Sequence, residues 1–326
     1  MTGVKPFPVN APIRPEERQI GRGPAIDALY KQVVELREHT LLVDERRVGK
    51  TSMVWAVLDR IRDSEVGWAC EVNLSRGPVT SASVLAEQLA EQARASRIRI
   101  DPRKEQIAER LRETVKLAGK PIIATVGKLI GIEELATAAD IAHSIDQSLS
   151  PSEEGEADLR AVLRALVAAA IVADKILVVF VDEAQRLSTD WVNDDDGLYA
   201  QEALSELMED HAGHVVVILA GSERSALRYL VADGQPLHHD GLPFPIRKIS
   251  DEDWLYELPR RFEEAGLTVE RDRIFQILDA SERHPENTMR VCLHVCLLAG
   301  GEPFEVSEVL VDEAIKDARK HPSWHR

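Results

Sequence analysis

A chain of 326 residues that is 44% hydrophobic has enough apolar material for one large α/β domain and a small satellite, which excludes disordered and fibrous classes. Its formal net charge of -16 sets a repulsive field against surface-wide binding to nucleic acid, so a protein partner is the expected default. Three cysteines, Cys70, Cys292 and Cys296, match no zinc or redox spacing, the most apolar run (165–173) is too short to span a bilayer, and the proline-rich start lacks a secretory apolar region, so the chain reads as cytoplasmic with no membrane insertion.

Residues 1–17 read as a flexible or strap-like leader. Residues 25–38 carry Ile26, Leu29, Tyr30, Val33, Val34 and Leu36 at nearly helical spacing and lead into a short strand over 40–43. That strand runs directly into a Gly-Lys-Thr turn. A helix over 51–62 follows, with Met53, Val54, Val57, Leu58 and Ile61 inward, then a strand over 68–74 and a helix over 81–94. Strand alternating with helix predicts a parallel, doubly wound sheet with crossover helices.

Residues 100–170 read as a mainly helical insertion, whose plainer role is packing against the sheet and whose alternative is partner contact. The basic cluster Arg94, Arg97, Arg99, Arg103, Lys104 is the best candidate for a DNA-binding stripe, with a solvated helix face or loop as the plainer reading. The continuous apolar run 176–181, rich in β-branched residues, predicts a central strand buried on both faces. A helix over 201–211, a second buried strand over 214–220 and a shorter strand over 244–249 come next. From 251 onward only helices are expected, over 251–265, 271–281, 287–298 and 306–320, with 304–324 mostly one helix. The domain division is therefore a nucleotide-binding core over 18–250 and a helical lid over 251–326.

Two segments carry chemistry. The stretch from Asp44 to Ser52, DERRVGKTS, lies where a strand turns into a helix. A triphosphate needs backbone N–H groups converging on a helix N-terminus, a lysine for the β and γ oxygens, and a hydroxyl for Mg2+. Gly49, Lys50 and Thr51 supply these, with Arg47, Val48 and Ser52 beside them. Asp44 stands where the usual loop begins with glycine; aspartate tolerates a left-handed backbone, so the loop is expected to form, and a carboxylate held by Arg46 or Arg47 would be nearly neutral toward phosphate. The second segment is Val181-Asp182-Glu183-Ala184-Gln185. Acids at the carboxyl end of a buried parallel strand suit a metal held by Asp182, through water, and an attacking water oriented and deprotonated by Glu183. Ser222, at the end of the 214–220 strand, is a candidate sensor of the γ-phosphate or a plain strand-ending turn. Arg224, Arg228 and Arg247 are candidate fingers toward a neighbouring subunit's phosphate, or ordinary surface arginines.

Ile20-Gly21-Arg22, the 46–52 loop, the 181–185 segment and Gly221-Ser222 together resemble the prokaryotic AAA+ ATPases related to the STAND and archaeal-ATPase groups, relatives of origin-recognition and transposition-regulator ATPases. The resemblance spans about residues 18–300. It implies a five-stranded P-loop sheet with a helical lid, ATP and Mg2+ as ligands, and a homo-oligomer that responds to nucleotide. It places Gly21 and Arg22 in a box near the adenine, and likens the stretch from Pro285 to Arg290 to a lid segment in which Arg290 is a second sensor. The function it implies is a nucleotide-dependent switch controlling assembly with protein partners. The alternatives are a DNA-associated regulator, as in transposition, replication or anti-phage defence, and a nucleotide-bound scaffold with little hydrolysis. No winged-helix segment follows the lid, which lowers the case for direct DNA readout.

Overall fold

A computed structural model describes residues 7–9, 11–14, 19–75, 81–95, 159–172, 174–188, 194–210, 213–222, 230–238, 241–300, 304–322 and 324. The basic cluster at 97–104 and most of the 100–170 segment lie outside them. The chain divides into two compact units, one made of residues 29–44 and 57–245, the other of 1–28, 45–56 and 246–326.

The larger unit is built on a parallel sheet. Helix α1 (Gly23–Tyr30) continues through a π-helical turn, Lys31–Glu35, into strand β1 (Thr40–Val43). Helix α2 (Lys50–Asp63) begins at the Gly-Lys-Thr turn and buries Met53, Val54, Val57, Leu58 and Ile61, the face its periodicity predicts. Strand β2 (Gly67–Asn73), helix α3 (Ala82–Ala95) and helix α4 (Leu159–Val172) follow. Strands β3 (Ile176–Asp182) and β4 (Val215–Gly221) flank helix α5 (Asp194–Asp210), and every residue of both strands is buried, as a parallel sheet covered on both faces requires. With β5 (Leu242–Pro243) the sheet has five strands in the order β2-β3-β4-β1-β5, all paired in parallel.

Glycine is needed where β2 starts: a Cβ on Gly67 would lie 2.6 Å from Ile176 Cγ1 and 2.8 Å from its carbonyl oxygen. The core of this unit gathers Leu85, Leu89, Leu163, Leu177, Val179 and Leu204 among others.

Three expectations are corrected here. The strand expected over 244–249 is instead Leu242–Pro243, which meets Thr40 and Leu41. Leu242 N–H donates to His39 O and Phe244 N–H to Leu41 O, and Pro243 and Pro245 alternate with these donors, so their missing N–H groups fall on the outer side, where an edge strand tolerates proline. Helix α5 starts at Asp194, earlier than the 201–211 pattern, because acids are favourable beside the positive end of a helix. The last segment holds a short strand before its helix, as described next.

The second unit contains helix α6 (Asp251–Glu264), strand β6 (Leu267–Thr268), helices α7 (Arg271–Ala280) and α8 (Pro285–Leu298), strand β7 (Phe304–Glu305) and helix α9 (Glu308–Arg319). Strands β6 and β7 form a two-stranded parallel ladder. Its core gathers Trp254, Leu258, Phe262, Ile274, Cys292 and Val311, and Phe7 joins it with its ring 4.8 Å from that of Phe262. Ser250 and Ser307 cap α6 and α9 by accepting from Asp253 N–H and Leu310 N–H. Among the described residues, no helix is long and apolar enough to cross a membrane.

Candidate functional site

The phosphate loop belongs to the second unit and follows β1 directly in the chain. Its left-handed residues are Arg47 (φ 62°) and Gly49 (φ 98°). Asp44 is not among them, so the expectation that aspartate supplies the left-handed step is corrected: the strained position is an arginine. A non-glycine side chain in that conformation costs roughly 1–3 kcal/mol and persists only where neighbours hold it. The Arg47 guanidinium is held by the Glu286 carboxylate in the first turn of α8, so it is not spent on Asp44.

Lys50 opens α2, is 7% exposed, and its Nζ donates to Glu45 O at 2.5 Å. The ammonium thus folds over its own loop and rests on a carbonyl. Thr51 is the next helical residue and is partly buried. Ser52 Oγ accepts Ile13 N–H at 2.8 Å, and Ser52 O accepts Gln19 Nε2–H at 2.7 Å, so the leader is tied to the start of α2.

Arg22 is buried, and its guanidinium donates to Val48 O at 2.7 Å and to Arg247 O. It ties the loop to the segment that carries Arg247. Gly21 next to it has φ 60°, and a Cβ there would meet Asp253 Oδ2 at 2.7 Å, so both conformation and space demand glycine. Arg247 enters through its carbonyl; Arg224 and Arg228 lie outside the described residues.

On α8, Pro285 takes the first helical position and His284 the cap. His284 Nδ1 accepts Asn287 N–H, while Nε2 faces Arg46 O at 3.1 Å. Together these contacts require a neutral imidazole carrying its proton on Nε2. Burial, the largest cause, lowers the His284 pKa from its ordinary value, against opposing pulls from Arg46 O, Glu45 and Glu286. Arg290 is almost wholly buried and donates to Glu286 Oε1 at 2.5 Å. Glu286 lies in the lid stretch that the sequence picks out, but its pairing with Arg47 and that of His284 with Arg46 O escape sequence reading, because these partners lie more than two hundred residues apart in the chain.

The acidic edge belongs to the larger unit. Asp182 ends β3 and is 5% exposed. Its Oδ2 accepts Asn73 Nδ2–H at 3.2 Å and its Oδ1 accepts Glu183 N–H at 3.0 Å. Asn73, the last residue of β2 and in register with Asp182, was not singled out; a polar residue at the carboxyl end of a parallel strand is the signal that would have found it. Glu183 is left-handed (φ 56°). Its Oε2 accepts from Gln185 Nε2 and, at 3.5 Å, lies near Ser222 Oγ. The sheet therefore brings Ser222 to Glu183, because β4 ends beside β3. Arg186 donates to Leu74 O at 2.8 Å and closes the turn after the acids.

This edge presents a buried carboxylate oriented by an amide, and beside it a strained carboxylate held by neutral donors. Such a pair can place a cation and polarise a water.

The sequence matches no family model and no curated protein. Among solved structures it resembles a Walker-type ATPase of Pyrococcus abyssi at 17% identity and a TM-score of 0.62, over 97% of this chain and 75% of that one. It also resembles the ORC2 protein of Aeropyrum pernix, solved with ADPNP and ADP, at 16% identity and a TM-score of 0.58, over 97% and 72% of the two chains. The ORC1 protein of the same organism, solved in complex with DNA, aligns at 14% identity and a TM-score of 0.52, over 92% of this chain and 66% of that one. At these identities the likeness is one of fold: the chain has the P-loop AAA+ ATPase fold of these structures.

Proposed function

We propose that this chain is an Mg2+-dependent ATPase that works as a nucleotide switch, changing its assembly with protein partners as ATP binds and is hydrolysed. The observation that carries the proposal is the loop itself. A left-handed Arg47 and Gly49 lead into a helix whose first residue is a buried lysine resting on a loop carbonyl. A cation held that way can turn from a neutral oxygen to a phosphate oxygen, which binds it more strongly. The amides at the start of α2 offer further donors to the same anion.

Lys50 would bind the β and γ oxygens, and Thr51 and Asp182 would hold the metal. The metal, when bound, would neutralise charge on the phosphates. Glu183 would orient the attacking water and take its proton, and Gln185 and Ser222 would keep its carboxylate aimed. Arg22 supports the loop through Val48 O and serves as a positioning residue. Gly21 allows the approach that α6 makes to it.

Binding of ATP to the wild-type chain, measured by calorimetry, should weaken about a hundredfold in Lys50→Ala, the loss expected when a charge-assisted hydrogen bond to phosphate is removed. Equal affinities in the two proteins would overturn the proposal.

A further inference from the structure

The contacts of Glu286 give the loop a property that its motif does not contain. One carboxylate oxygen, Oε1, accepts from two arginines: Arg47 in the phosphate loop and Arg290 one turn further along α8. The side chains of Glu286 and Arg290 are 9% and 3% exposed, whereas that of Arg47 is 39% exposed. An acid in the first turn of a helix, paired four residues on with an arginine, is ordinary helix chemistry. The pair with Arg47 is not, since it joins residues 239 apart in the chain.

The second tie from Arg46 O to His284 fastens the same loop to the same helix start. Three cations of this region thus meet an oxygen close by: Lys50 meets Glu45 O, and Arg47 and Arg290 meet Glu286 Oε1.

We infer that Glu286 is an internal counter-anion that sets affinity for polyphosphate by holding Arg47 and Arg290 until the ligand competes for them. The inference rests on the proposed nucleotide-binding role of the loop. A polyphosphate and the Glu286 carboxylate present the same chemistry to a guanidinium, so a ligand that recruits either arginine displaces Glu286 from it. Displacement also loosens the loop from α8, which gives the switch a first moving part. Glu286 is a positioning residue in this scheme, acting through the two arginines.

The test is titration of the full chain with ATP and with AMP. Glu286→Gln, isosteric and uncharged, should tighten ATP about tenfold, since each arginine is released from a charge-assisted bond, and leave AMP unchanged. Glu286→Asp, which keeps the charge for the helix end and draws it back from Arg47, should tighten ATP by less; it covers the case in which Glu286→Gln unfolds. In an R47Q/R290Q background, E286Q should change nothing.

Unchanged or weaker ATP binding in both Glu286 variants would overturn the inference and leave Glu286 a structural tie. A gain that persists in the R47Q/R290Q background would overturn it too, because simple repulsion of phosphate would then be the cause. Wild-type binding that does not depend on Lys50 would remove the parent proposal, whereas Lys50-dependent binding without the Glu286 effect would remove this inference alone.

Discussion

The phosphate loop and the acidic edge both hold a charged side chain on a left-handed backbone, Arg47 in one and Glu183 in the other, yet they secure it by different means. Arg47 is met by an opposite charge, Glu286. Glu183 is met by a neutral amide, Gln185, with the hydroxyl of Ser222 nearby. The loop thus sets an opposite charge against its own, while the edge fixes the direction of its carboxylate through neutral donors. Strain of this kind, roughly 1–3 kcal/mol at each position, is retained where chemistry needs a side chain aimed. Under the proposed function the loop should be sensitive in affinity and the edge in rate.

The largest expected effect breaks that comparison most directly. Glu183→Gln should lower ATP turnover about 10²–10⁴-fold, the usual loss on removing a general base, while ATP affinity stays near that of wild type. Steady-state turnover and equilibrium titration on the same protein separate the two. A Glu183→Gln variant that loses affinity and keeps its turnover would mean that the edge binds and does not react.

A smaller effect is expected in the frame that holds the loop. Gly21→Ala forces a Cβ against Asp253 at a backbone angle that L-residues avoid, and should cost roughly 1–3 kcal/mol of stability. Urea unfolding measures it, and a variant as stable as wild type would show that α6 gives way at no cost.

Much of the frame was legible because its elements are strongly patterned. The runs ending at Asp182 and Gly221 are apolar, rich in β-branched residues and buried throughout, so length and composition alone mark central strands. The turn at Lys50 was legible because three residue types with distinct tasks stand together. Strand β5 was not, since a strand of two residues carries no period. The start of α5 was hidden by three aspartates that resemble a loop; Asp196 in fact accepts Ala82 N–H and so fastens the first turn of α3.

The departure at Asp44 drew attention to the wrong residue. A missing glycine is visible in a sequence, but which position takes positive φ is decided by the path of the backbone, and that path passes through Arg47. The partners of Arg47 and Glu183 likewise depend on tertiary placement. Glu286 comes from the far end of the chain and Ser222 from an adjacent strand, so neither pairing could be read from local spacing.

The smallest effect concerns the second tie between the loop and α8. His284 needs its neutral form to accept Asn287 N–H at Nδ1 while Nε2–H faces Arg46 O, and burial is the main cause that lowers its pKa in the folded chain. Because the unfolded chain then takes up the proton first, the stability this residue contributes is full above the ordinary histidine value of about 6.5 and is lost as pH falls through the folded value. His284→Asn keeps a capping side chain without a titrating group. Between pH 7.5 and 5.5, on the order of one unit either side of that ordinary value, the thermal midpoint of wild type should fall more than that of His284→Asn. The other histidines are common to both proteins, so the difference isolates this one. Parallel curves would mean that the imidazole is not held neutral at the helix start, and that the loop is tied to α8 through Glu286 alone.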